Sequence, residues 1–286
     1  MPDVMEERIR SASFTAGIAF SLGALLISIS LVLFPSLPPA NETNKILDVL
    51  VKQGDGGWMW LHAIMAVGFV LATIGFVSFG FLLHFKGSSG PASVGMVCAL
   101  VAGSLWAAFL SAEFFVMPFI KNLVGVEPGL ATMLFNTYWF WKMGALWLAG
   151  LLMFVAVIAE GMAANVRGVL PAWLGFGGAV FATFGIILYA FEFLNATTIG
   201  GAVNPMRSPI ARFGIGLPLQ VWMVAVGATL MRDYRDRVSA LPPQIRTPVP
   251  RRQALDARTG EPLGGPGGMG GVSGPGPGEH QERFGS

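Results

Sequence analysis

Charge is what this 286-residue chain has least of: 12% of its residues are Asp, Glu, Lys or Arg, while 53% are hydrophobic. Soluble globular domains carry roughly 25% charged residues. Half that amount cannot cover a water-soluble fold, so the chain is expected in a membrane. A single cysteine, Cys98, excludes an intrachain disulfide and a thiolate metal cluster. Three histidines, one of them His280 near the end, are too few for a multi-histidine metal site. A net charge of +2, with most of the basic excess in the last quarter, gives no strong pull toward nucleic acid.

Enzyme motifs are also missing. There is no HExxH and no phosphate-binding GxxxxGKS/T. Gly87-Ser88-Ser89-Gly90 resembles a serine-nucleophile loop only superficially, since His84 is the one base in sight. His62 and His84 lie 22 residues apart on one predicted helix, about 33 Å along its axis, so one haem cannot use both. No catalytic residue, metal or cofactor is expected.

What the chain does have is long apolar runs. A spanning helix needs about 20 mainly apolar residues, and six segments qualify: 13–34, 58–84, 91–118, 136–159 (with Lys142 inside), 170–194 and 210–231. The runs are too long, and alternate too little, for barrel strands. The expected fold is an all-α membrane protein, a six-transmembrane-helix bundle. Residues 1–12 form a cytoplasmic N-terminal segment, 13–231 the transmembrane domain, and 232–286 a Pro/Gly-rich disordered tail. The first apolar run exceeds the 7–15 residues of a signal core, so it is expected to stay as a helix.

Prolines and small residues mark the helices further. Pro91, Pro171 and Pro209 suit first helical positions. Gly214, Gly216 and Pro218 predict a bend in the last span, and Ala99, Gly103 and Ala107 a close helix contact.

Orientation follows Lys and Arg placement. Arg8, Arg10, Lys86, Arg167 and Arg232, Arg235 and Arg237 fall on one side of a six-span chain. Lys45, Lys52, Lys121 and Arg207 fall on the other. Both termini are therefore placed in the cytoplasm of a cell-membrane protein, with short cytoplasmic turns and longer outer loops. Trp58, Trp60 and Trp141 suit an outer interfacial belt, with His62 beside them. Glu160 and Arg167 bracket a cytoplasmic turn and are expected to pair with each other or with headgroups.

An offset of 80 residues aligns the second and third spans with the fourth and fifth. Trp58, Trp60 and His62 fall on Tyr138, Phe140 and Lys142, while Pro91, Gly95 and Ala99 fall on Pro171, Gly175 and Ala179. The alignment suggests a parallel repeat of helix hairpins.

Ionisable side chains inside a bilayer are costly and turn toward a bundle interior. His62, Glu113, Lys142, Glu192 and Arg212 all fall in the outer third by helix rise. Tyr189 shares a face with Glu192, and Gln220 adds a neutral polar group. Two readings of this set follow. In the first, the charges are interhelical pairs in a non-enzymatic subunit or scaffold of a membrane assembly. In the second, they line an outward-facing pocket that binds or transports a small solute, ion or proton. Arg207 and Arg212, flanking the helix start at Pro209, form a weaker candidate for docking an anion. The expected partners are the lipid bilayer, other membrane subunits and a small solute or proton, with no nucleic acid.

Overall fold

Seven helices account for the regular structure of the described residues, which in the computed structural model are 2–33, 43–52, 55–198 and 216–240. They are α1 (Pro2–Leu33), α2 (Thr43–Lys52), α3 (Asp55–Phe85), α4 (Ser89–Val124), α5 (Pro128–Val166), α6 (Ala172–Thr198) and α7 (Leu217–Ser239). Five are long and apolar enough to cross a membrane: Val4–Leu33, Gly57–Phe85, Ser89–Val124, Pro128–Val166 and Ala172–Phe191. No strand occurs among the described residues.

Several boundaries differ from expectation. The segment 1–12 is helical from Pro2 and continues into the first span, because no breaker separates Glu6 and Glu7 from the apolar run. Residues 43–52, expected in a loop, form α2, whose Ile46, Leu47 and Leu50 share one buried face. The outer loop expected between 118 and 136 shrinks to the turn 125–127. Here α4 runs through Pro118 to Val124, and α5 begins at Pro128. A proline inside a membrane helix is tolerated where neighbouring helices satisfy the freed backbone group, and Pro128 sits where a helix start needs no N–H. The rule of short inner and long outer connections fails at this turn.

The last span expected at 210–231 has its first residues outside the described part, together with Pro209 and Gly214. Its described portion, α7, extends past 231 to Ser239, so the stretch given to the tail begins as helix. Residues 241–286 lie outside the described residues.

Neighbours follow the order α7, α1, α3, α4, α5, α6, with α6 touching α7 again and α2 resting on α5. Paired contacts show that adjacent helices are antiparallel. Along α1 and α7, Phe20 meets Trp222, Phe14 meets Tyr234, and Glu6 meets Arg237. Along α3 and α4, Thr73 meets Gly103, and Phe69 meets Trp106.

Close approach is set by glycine pairs at three crossings. A Cβ on Gly23 would stand 2.9 Å from the Gly68 carbonyl oxygen of α3. One on Gly227 would stand 2.8 Å from the Gly17 oxygen of α1, and one on Gly161 2.8 Å from the Gly175 oxygen of α6. Small residues let membrane helices touch backbone to backbone, where packing rather than hydrophobic burial drives association. Phe20, Phe76, Phe79 and Trp222 fill the space where α1, α3 and α7 meet, with Phe20 edge-on to Phe76 at 4.9 Å.

The bundle has two distinct ends. One carries the start of α1, the turns 86–88 and 167–171 and the end of α7. Gly87 takes φ +86° in the first of these turns, a conformation that favours glycine, and its carbonyl oxygen accepts from the Arg167 guanidinium across the gap. The other end carries α2, the starts of α3 and α5 and the turn 125–127.

Candidate functional site: a buried carboxylate between three helices

Glu113 of α4 is 1% exposed and receives side chains from both flanking helices. From α3, the Trp58 indole Nε1 donates to Oε2 at 2.7 Å. From α5, the Lys142 ammonium donates to Oε1, as does the Tyr138 hydroxyl at 3.0 Å. Tyr138 shares its proton with the Phe109 carbonyl oxygen at 3.2 Å. The His62 Nε2 lies 3.9 Å from Oε2. His62 Nδ1 faces the Trp58 carbonyl at 2.9 Å, and because a carbonyl only accepts, that nitrogen carries a proton.

Helix spacing builds this arrangement. Trp58 and His62 are four residues apart on α3, and Tyr138 and Lys142 are four apart on α5. Each pair therefore shares one helix face. The two faces close on Glu113 from opposite sides, at positions related by the 80-residue offset. Lys142 is also held by aromatic rings, its Nζ standing 5.3 Å from the Trp139 centroid and 5.9 Å from that of Trp58.

The electrostatic result is a buried Glu–Lys ion pair with no net charge. An ionised carboxylate has two oxygens and accepts only, and each oxygen here already takes a donor at hydrogen-bond distance. Oε1 takes two of these donors and Oε2 one, at a carboxylate that is 1% exposed. The cluster also lies deeper than expected from a helix ending at Pro118. Glu113 is eleven residues before Val124, about 16 Å along the axis.

Of the groups expected at one level, His62, Glu113 and Lys142 come together. The Tyr189 ring packs on Gly150 and stands edge-on to Phe154, at 5.5 Å, along the α5–α6 seam. Gln220 is buried on α7, which packs on α1 and α6. The side chain of Glu192, in α6, lies outside the described residues, as do Arg207 and Arg212 entirely.

Three other expectations are corrected. Trp58 is buried and serves Glu113, whereas Trp60 and Trp141 remain 72% and 74% exposed. His62 is buried with Trp58, not interfacial. Glu160 pairs with neither Arg167 nor headgroups; it is fully buried, and Arg167 binds the Gly87 carbonyl instead. Sequence reasoning passed over Trp58 and Tyr138 as donors to Glu113, although their four-residue spacing to His62 and Lys142 marked them.

No family model, no curated protein and no solved structure matches the chain.

Proposed function

We propose that the chain is a multi-pass protein of the cell membrane that acts as a non-enzymatic structural subunit, its helices fixed by the Glu113 cluster. The observation that carries this reading is that both Glu113 oxygens already accept from side chains of α3 and α5. A carboxylate so occupied ties three helices in register, and its burial keeps it from a solute at the surface. The outer charges are then interhelical pairs, and the pocket reading loses its central residue.

Six spans with both termini cytoplasmic agree with this view. α7 lies antiparallel along α1 with glycine contact, and the Trp222 indole donates to the Leu174 carbonyl of α6 at 3.0 Å, so α7 is packed as a member of the bundle. Arg8, Arg10, Lys86, Arg167 and the α7 arginines share the end with the two turns, as the positive-inside rule requires of a cytoplasmic face. The matched placement of Trp58 and His62 with Tyr138 and Lys142 supports a duplicated hairpin.

Extraction in a mild detergent tests the subunit role. The protein is expected to migrate with further copies or with a stoichiometric partner. A lone monomer that binds an added solute only while Glu113 is intact contradicts it.

A further inference from the structure

A second carboxyl is buried without any of the support Glu113 receives. Glu160 of α5 is 0% exposed, and neither of its oxygens has a hydrogen-bond partner. It lies eighteen residues beyond Lys142, about 27 Å along α5 and hence at the opposite end of the bundle, six residues before Val166. Its side chain occupies a notch cut by two glycines. A Cβ on Gly95 of α4 would fall 2.4 Å from Glu160 Cγ, and one on Gly80 of α3 would fall 3.1 Å from Oε1. Alanine at 95 would take the space the carboxyl uses, whereas at 80 it would meet the Met96 side chain first and only then crowd Oε1.

No cation among the described residues faces this notch. α3 contributes Gly80, and α4 contributes Gly95, Met96 and, within electrostatic reach, the Cys98 thiol. α6 meets the next residue, Gly161, through Gly175. No ion pair reaches Glu160 from α2, α3, α4 or α6 among the described residues. A bare carboxylate in such a place would bear the full cost of lost hydration, and isolated buried charges are neutralised instead. With two unpartnered oxygens and no counter-charge among the described residues, the ligand that leaves this carboxyl without a buried net charge is a proton.

We propose that Glu160 is a proton-binding site. The carboxyl holds a proton while α5 is seated against Gly80 and Gly95, and releases it only when the seam between α5 and the α3–α4 pair opens to water. Proton occupancy is thereby coupled to helix packing near the end that carries the two turns. This inference is independent of the Glu113 reading, because the two carboxyls share no contact.

Infrared spectroscopy of the full chain in lipid nanodiscs tests it. At neutral pH the wild type is expected to show the carbonyl stretch of one protonated carboxyl per chain, shifting on exchange into deuterated water and absent in Glu160→Gln. Should Glu160→Gln fail to fold, Glu160→Asp is expected to keep the band at a displaced frequency. Absence of the band in the wild type, or its persistence unchanged in these variants, overturns the proposal. Loss of the band when sodium chloride replaces choline chloride also overturns it, in favour of a metal-cation site.

Discussion

Lys142 and Glu113 face each other as an ion pair whose side chains are 4% and 1% exposed, on neighbouring antiparallel helices. Burial makes the two residues interdependent. Removing one partner of a buried pair leaves an uncompensated charge and costs about 3–5 kcal/mol, whereas replacing both by apolar groups is often neutral. Lys142→Met is therefore expected to lower the unfolding temperature in detergent sharply. Lys142→Arg should lose less, because the charge persists while the fit between the Trp58 and Trp139 rings changes.

The remaining donors to Glu113 are individually modest. Tyr138→Phe removes one hydroxyl while the ammonium and the indole stay in place. Interhelical hydrogen bonds in membranes average about 0.6 kcal/mol and reach about 1.7. The expected loss lies in that range, read from denaturant or thermal unfolding. A loss as large as that of Lys142→Met would mean that the hydroxyl, not the ion pair, holds the node.

Glycine contacts give a prediction with an internal control. Gly161→Leu drives a side chain against the Gly175 backbone oxygen, which cannot rotate away, and overpacking of this kind costs about 1–3 kcal/mol. Gly144 lies on the same helix with nothing within 4 Å of an added Cβ. Gly144→Ala should be neutral or stabilising by up to about 1 kcal/mol, from helix propensity alone. Equal effects of the two substitutions would show that the α5–α6 seam is not packed through Gly161.

At the end of α7, Arg237 donates to Asp233 at 2.7 Å and to Glu6 of α1 at 2.8 Å. The hydrogen bond to Asp233, opposed by partial burial and aided by Glu6, pushes the guanidinium pKa above its ordinary value. A raised cationic pKa stabilises fully below the unfolded value, which for arginine is far above neutral pH, and is lost only as pH rises past the folded one. Raising the pH from 6 to 9 should therefore leave this contribution unchanged. Arg237→Ala should cost under about 1 kcal/mol, since partly exposed pairs are screened, and added salt should shrink the difference from wild type.

Orientation is tested by cysteine labelling in a Cys98→Ala background. Asp48→Cys, on the exposed side of α2, is expected to react with an impermeant maleimide in intact cells. Ser89→Cys, at the opposite end of the bundle, should react only after permeabilisation. The reverse pattern would invert the proposed topology.

Much of the architecture could be read in the residues because apolar length alone marks a spanning helix. Five such helices stand where the runs of residues placed them. The boundaries were less legible. Pro118 signals a stop by local rules, yet α4 passes through it, since packing in the bundle outweighs a single missing donor. α2 was hidden by its shortness: its three buried apolar residues acquire meaning only against α5.

At the site, charge scarcity made Glu113, Lys142 and His62 visible, and helix rise put them at a common level. The role of Trp58 could not be separated from that of Trp60 by composition, because the two differ only in which face of α3 they occupy. Glu160 was misread for a related reason. Its place six residues from a helix end suggested a headgroup contact, but the glycines at 80 and 95 that bury it come from two other helices. A one-dimensional depth estimate carries no information about such neighbours.

The most direct test of the structural role is a double-mutant cycle on Glu113 and Lys142, followed by thermal unfolding of the purified full chain. Glu113→Leu and Lys142→Met should each destabilise strongly, and the double variant should recover most of the loss, giving a coupling of about 3 kcal/mol or more. Additive losses, or single variants that unfold with the wild type while abolishing binding of a solute, would contradict a carboxylate whose purpose is to hold three helices together.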